Sequence, residues 1–445
     1  MPALQTLDQA AADLASGRVT SLELVDACLE RATDPAGEGE RAFVRLDADT
    51  AREVARAMDG LRAVGAEPSP YAGIPVSVKD LFDVRGQVTR AGSVVLDRGP
   101  AERDATAVAA WRRAGLVLIG RTNMTEFAYS GLGINPHFGT PANPWDRDTR
   151  RIPGGSSSGG AVSVADGMAL GALGSDTGGS CRIPAALCGL VGFKPTQDLV
   201  SREGMAPLSS SLDAVGVIGA SVGCCAELAG LARGELGSRA RPAVRAPRLA
   251  VPRNYFFDDA LPGVVAAFER ALGALSDGGA ELVDVELGEL DEIAEASAGG
   301  GFPAAEAFAW HKELIASHAD GYDPRVLVRI RRGESQSAAD LLALVEWRRS
   351  FIARIAERLQ PFDGFVFPTV PVVAPPLAVF EDDDEYSRLN LLMLRNPTVV
   401  NLLDGCAISV PANVEGEPPS GLTIAALCGQ DDELLRIAAW AEERL

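Results

Sequence analysis

Residues 151–160 read RIPGGSSSGG, and residues 175–196 read SDTGGSCRIPAALCGLVGFKPT. Each segment sets a serine, Ser156 or Ser180, among glycines and follows it with apolar, helix-compatible sequence. Glycines open backbone conformations closed to other residues and let N–H groups approach a ligand closely. A helix start adds free N–H groups and the positive end of a dipole. A serine placed there can meet a developing oxyanion. On composition alone GGSSSGG also reads as a flexible linker. Neither segment lies between domains, which counts against that reading.

Working outward, GIPVSVKD (73–80) alternates as a short strand and ends in Lys79, followed by Asp80 and the apolar Leu81 and Phe82. Burial of that strand would desolvate the lysine and favour its neutral amine, which accepts a proton from serine. Two glycine-set serines and a buried lysine suggest a serine nucleophile that needs no histidine. The chain has three histidines: His137 lies upstream of both serines, and His311 and His318 fall in one helical stretch. GSSSG (155–159) fits the nucleophile elbow G-x-S-x-G, but RIPG before it is a poor strand. DTGGS (176–180) contains an Asp-Thr-Gly without the second such carboxylate that an aspartic protease needs.

The wider pattern alternates strands and helices. The first 66 or so residues read as helical, with capping-box spacing at Thr20/Glu23 and again at Thr50/Glu53. Asp104 is expected to cap a helix through Arg113, LVLIG (116–120) to form a buried strand, and Asn123–Glu126 to open another helix. Further strands are expected at 215–219, 248–252, 281–286, 364–368, 407–411 and 421–427. Helices are expected at 258–277, 303–319, 338–360 and 431–445. The Gly/Pro/Arg-rich segment 234–248 reads as a surface excursion, and the acidic run 381–385 as a solvated loop. The expected fold is a single α/β/α domain over 1–445, with a central mixed β-sheet flanked by helices. Within it fall a helical scaffold at about 1–66, a core at about 72–220 and a pocket-forming C-terminal part at about 248–445.

Composition excludes several classes. The formal net charge of −20 repels a polyanion such as nucleic acid over most of the surface. Seven cysteines, without CxxC spacing and odd in number, argue against a zinc site or a disulfide framework and for a reducing, cytoplasmic compartment. No signal peptide and no membrane-length apolar run is evident, and no motif calls for a metal or other cofactor.

With these residues in view, the chain resembles the amidase signature family of serine hydrolases. The resemblance runs through GIPVSVKD with TRAGS (89–93), GRTNMTEFA (120–128), PGGSSSGG, GSDTGGSCRIPAALCGLVGFKPT, PTVP (368–371) and NLLDGCAISVPA (401–412). It implies a Ser-Ser-Lys triad. Ser180 is the nucleophile, Ser156 the bridge, held after a cis peptide bond, and Lys79 the base. It also implies an oxyanion hole from the N–H groups of Thr177, Gly178, Gly179 and Ser180. Ser157, Asp176 and Arg182 are supporting residues. Cys181 and Cys406 stand where the family often has an aliphatic residue and a proline, and neither removes a catalytic group.

The implied activity is hydrolysis of a carboxamide or carbamoyl C–N bond in a small molecule, through an acyl-Ser180 intermediate. One alternative is the glutaminase component of glutamyl-tRNA(Gln) amidotransferase, its A subunit, working with tRNA-binding partners. That component commonly has Arg-Gln-Pro where this chain has Arg182-Ile183-Pro184. Another is a non-catalytic binding protein on the same fold. Met124, Phe127, Ala128 and Tyr129, part of 302–330 and the 369–376 loop are pocket candidates, and Met124 and Tyr129 suggest an apolar or aromatic acyl group. Phe127 reads equally well as core. His311 and Arg329 are further polar groups in that region, without an assigned role. The family often forms homodimers, and nothing in this sequence independently fixes the assembly.

Overall fold

The computed structural model describes residues 4–235 and 245–445. Among them one sheet of 11 strands runs through the molecule. The strands are β1 (Phe43–Leu46), β2 (Pro75–Lys79), β3 (Val117–Thr122), β4 (Gly171–Asp176), β5 (Val191–Lys194) and β6 (Ala214–Gly219). They continue as β7 (Arg248–Pro252), β8 (Glu281–Val285), β9 (Gly364–Pro368), β10 (Cys406–Pro411) and β11 (Gly421–Ala426). Their order across the sheet is β1-β3-β2-β4-β6-β5-β10-β11-β9-β7-β8. β2 lies parallel to both β3 and β4, β7 lies parallel to both β8 and β9, and the remaining pairings are antiparallel. The sheet is mixed and flanked by helices, in a single domain.

This topology positions the serine-rich segments. β2 and β4 run side by side in the same direction, with Val78 opposite Leu173. Their C-terminal ends therefore deliver Lys79 and the Ser175–Asp176 pair to one edge. Both strands are buried throughout. Short, fully buried helices follow each glycine-rich turn, Ser158–Ala165 after Ser156 and Arg182–Cys188 after Ser180. Gly174 is required where they converge, because a Cβ there would sit 2.8 Å from Cys181 Sγ and 2.9 Å from Ser157 Oγ.

Several expectations need correction. The helix Ala48–Ala63 begins two residues ahead of Thr50, because Asp47 N–H is tied to the Ile119 carbonyl and ends β1 there. Thr50 is thus inside the helix and caps nothing. Asp104 receives the Arg85 N–H at 2.7 Å, so the helix Thr106–Arg113 starts without a side-chain cap. Asn123 opens no helix. Its amide donates to the carbonyls of Arg41 and Gly139, and the chain makes only a short turn at Glu126–Ala128, with positive φ at Phe127 and Ala128. The acidic run is no loop either. Asp382 accepts the N–H groups of Asp384 and Glu385 and caps a 20-residue helix, Asp383–Leu402. β1, β4 and β5 were not anticipated. Most of the 234–248 excursion, residues 236–244, lies outside the described residues. All seven cysteines are unpaired, and among the described residues no helix is long and apolar enough to cross a membrane.

Candidate active site

Lys79 leaves β2 with no solvent exposure. Its Nζ donates to Ser156 Oγ at 2.8 Å and to Ser175 Oγ at 2.8 Å. Burial lowers the lysine to about 8, against the opposing pull of acidic groups that include Asp176. The Gly155–Ser156 peptide bond is cis, and the Ser156 carbonyl receives the Thr125 N–H at 3.1 Å. The two glycine-rich turns are joined directly: Ser157 N–H donates to the Ser180 carbonyl at 3.2 Å. Ser157 Oγ reaches the Ser175 carbonyl at 3.4 Å. Ser175 was missed from the sequence, although it stands at the end of a strand beside the strand that carries Lys79.

The turn that carries Ser180 is held by one carboxylate. Asp176 accepts the Gly179 N–H at 2.9 Å, the Cys181 N–H at 3.1 Å and two bonds from the Arg182 guanidinium. Burial alone would raise this carboxyl. Arg182 overrides that and holds it well below the usual carboxylate range. Asn401, from the helix Asp383–Leu402, closes the network. Its amide donates to the Asp176 carbonyl at 2.9 Å, and its oxygen accepts from Arg182 at 2.7 Å. Gly179 has φ +118°, and a Cβ there would lie 2.5 Å from Pro397. With the Gly179 N–H given to Asp176, the N–H groups of Thr177, Gly178 and Ser180 are the ones left without an acceptor among the described residues. Thr177 is fixed through its hydroxyl, which donates to Asp213 at 2.6 Å. Burial pushes Asp213 up to about 6, against that bond and two backbone N–H donors. Neither Asn401 nor Asp213 carries a sequence signal that singles it out. Cys181 is buried, and burial pushes its thiol up to about 12, so it stays protonated and unreactive at neutral pH.

Ser180, Thr177 and Gly178 face a cavity of about 270 Å³. Of the pocket candidates, Ala128 and Tyr129 line it, as do Phe302, Pro303 and Arg329 from the 302–330 region. Met124, Phe127 and the 369–376 loop lie outside its wall. Met124 is fully buried. The positive-φ turn sends Phe127 away from Tyr129, into an edge-to-face contact with His311 at 4.3 Å. His311 is bonded to the Tyr322 hydroxyl at 2.9 Å, and burial lowers it to about 3, so it is a neutral core residue.

A family model described as Amidase matches residues 23–435. The chain belongs to the amidase family. It is 34% identical to the 2-amino-5-chloromuconic acid deaminase of Comamonas testosteroni, over 98% of this chain and 95% of that protein. It is also 34% identical to the A subunit of glutamyl-tRNA(Gln) amidotransferase from Roseiflexus sp. (strain RS-1), covering 97% and 94% of the two chains. A crystal structure of an amidase superposes with a TM-score of 0.89 and 34% identity, over 99% of this chain and 100% of the other. As a member of the amidase family, the chain is a hydrolase acting on carbon–nitrogen bonds.

Proposed function

We propose that this amidase cleaves a small-molecule carboxamide or carbamoyl compound through a Ser-Ser-Lys relay. The observation that carries the reading is the 2.8 Å contact between Lys79 Nζ and Ser156 Oγ, made by a lysine whose burial lowers it to about 8. With that value about a tenth of Lys79 is a neutral amine at pH 7. The amine takes the Ser156 proton while Ser156 takes the proton of Ser180. Ser180 Oγ then bonds to the substrate carbonyl carbon, and the carbonyl π electrons move to oxygen. The N–H groups of Thr177, Gly178 and Ser180 receive that oxyanion. Gly179, expected as a donor, is better read as the turn residue, because its N–H already serves Asp176. As the C–N bond breaks, the leaving nitrogen takes a proton back from Lys79 through Ser156. Water, deprotonated by the same relay, releases the carboxylic acid and restores Ser180. Ser157, Asp176 and Arg182 hold the two turns in register.

The test is ammonia release from aliphatic, aromatic and carbamoyl amides and from glutamine, with Ser180→Ala and Lys79→Ala beside the wild type. Activity abolished in both variants supports the relay. Activity that survives Ser180→Ala removes Ser180 as nucleophile.

A second reading rests on the likeness to the amidotransferase component: a glutaminase within a multi-protein complex. Ile183 weighs against it. Its side chain is buried in an apolar cluster with Leu132, Leu187 and Met393, where the glutamine common in that component would lack polar partners. Copurification with partner proteins and activity restricted to glutamine would favour the second reading.

A further inference from the structure

Among the described residues, the wall of the Ser180 cavity carries three arginines, Arg329, Arg332 and Arg395, and no aspartate or glutamate. This concentration of cations sits in a chain of net charge −20. Among the described residues none of the three has a carboxylate at ion-pair distance, whereas Arg325, one turn before Arg329, is paired with Asp383. The Arg329 guanidinium lies over the Tyr129 ring at 4.6 Å and bonds the Tyr129 carbonyl through one nitrogen. Its other nitrogens have no acceptor among the described residues. Burial lowers Arg329 and Arg395 below the usual guanidinium range. Arg395 gives its bonds to the carbonyls of Phe256 and Asp258 and to the Asn396 side chain, with Asp258 and Asp259 close enough to act on its charge but not at ion-pair distance. Arg332 is exposed, whereas Arg329 is partly buried without an ion pair, and an incoming anion relieves the cost of such a cation. A guanidinium also offers donors in a fork that matches a carboxylate.

We infer that the amide substrate carries a carboxylate on its acyl portion, which Arg329, with Arg332 and Arg395 on the same cavity wall, holds while Ser180 meets the reacting carbonyl. The inference rests on the amidase reading above and names its substrate class: the monoamide of a short dicarboxylic acid. The remaining wall accommodates the carbon chain between the two ends, through Leu212, Ile293, Phe302 and Leu394. This proposed class differs from the apolar or aromatic acyl group expected from Met124 and Tyr129. Met124 does not reach the cavity, and Tyr129 serves as the platform under Arg329.

The test compares succinamate, glutaramate and adipamate with succinamide, glutaramide and adipamide. The expected result is a higher kcat/KM for the carboxylate member of at least one pair, by about tenfold to a hundredfold. In Arg329→Met the ratio collapses, chiefly through KM, and in Arg329→Lys it is intermediate. Because Arg329 also supports the Tyr129 turn, a second measurement uses the wild type alone: calorimetric binding of glutarate against glutaramide, expected to favour glutarate and to weaken with salt. Diamides hydrolysed as fast as monoamides, with glutarate no tighter than glutaramide, would overturn the inference and leave the amidase intact. Glutarate bound in preference, with no amide of any kind cleaved, would uphold the anion site and sink the amidase reading.

Discussion

Arg182 and Asp176 form an ion pair with no solvent exposure on either side chain, bonded at 2.8 and 3.1 Å. The same carboxylate fixes the Gly179 and Cys181 N–H groups, so the pair sets the shape of the turn that presents Ser180. Arg182→Met leaves a buried charge without its partner and is expected to cost about 3–5 kcal/mol of stability. Urea unfolding measures it, and a loss below about 1 kcal/mol would mean that the pair is dispensable to the fold.

In the proposed relay Lys79 is the base, which acts only when neutral. With a value of about 8, kcat/KM is expected to rise tenfold per pH unit below pH 7 and to level off above about 8. A pH–rate profile flat between pH 6 and 9 would remove Lys79 from the proton relay.

Ser175 accepts one of the two hydrogen bonds from the Lys79 ammonium. That bond favours the charged form, so Ser175→Ala is expected to lower the lysine further and move the rising limb of the pH–rate profile acidward by about half to one pH unit. The shift of the midpoint is the readout. An unchanged midpoint with a lower rate would reduce Ser175 to a packing role.

The same burial weakens the fold at neutral pH. Below about 8 the folded and unfolded chains both carry the Lys79 proton, and the folded state bears the full desolvation cost. Between about 8 and the ordinary value of 10.5 the unfolded state binds more protons, so this group's contribution to stability rises with pH. Lys79→Met is therefore expected to stabilise the protein by about 1–3 kcal/mol at pH 7 while abolishing activity. Melting curves at pH 7 and pH 10 check the stability change, because the gap between variant and wild type narrows at the higher pH, and amide hydrolysis checks the loss of activity.

Gly179→Ala meets two obstacles at once, a φ of +118° and the Pro397 ring 2.5 Å from the new Cβ. The expected loss is about 2–4 kcal/mol of stability, with kcat reduced more than KM is raised. A variant that melts with the wild type would show that the Pro397 helix yields freely.

The sequence made β2, β3, β6 and β7 to β11 legible, because each is a short apolar or alternating run bounded by turn residues. β4 was not, because GALGSD has no β-branched residue and reads as loop. Its Gly174 answers to Cys181 and Ser157 and its Gly171 to Leu228, which approach from elsewhere in the fold. Lys79, Ser156 and Ser180 stood out because glycines and an apolar strand frame them. Asn401 and Asp213 did not, because ordinary helical and loop sequence gives no sign of which buried partner a side chain will meet. Met124, a pocket candidate, lies outside the cavity wall, and Phe127, read equally as pocket or core, is core. A helix was expected to open at Asn123–Glu126, and the observed turn with two positive φ values brings Ala128, Tyr129 and Ser130 to the cavity instead.

The order of the sheet bears on how the chain is made. β10 and β11, within residues 406–426, fill the gap between β5 and β9. During synthesis two partial sheets must therefore wait, each with an open edge able to pair with the wrong chain. The last strands act as a keystone, and Asn401 arrives with them to brace the Ser180 turn. A ribosome stalled before residue 406 releases a chain that has every proposed triad residue yet exposes two adhesive edges. Competence for chemistry and protection from aggregation arrive in the same few seconds of translation.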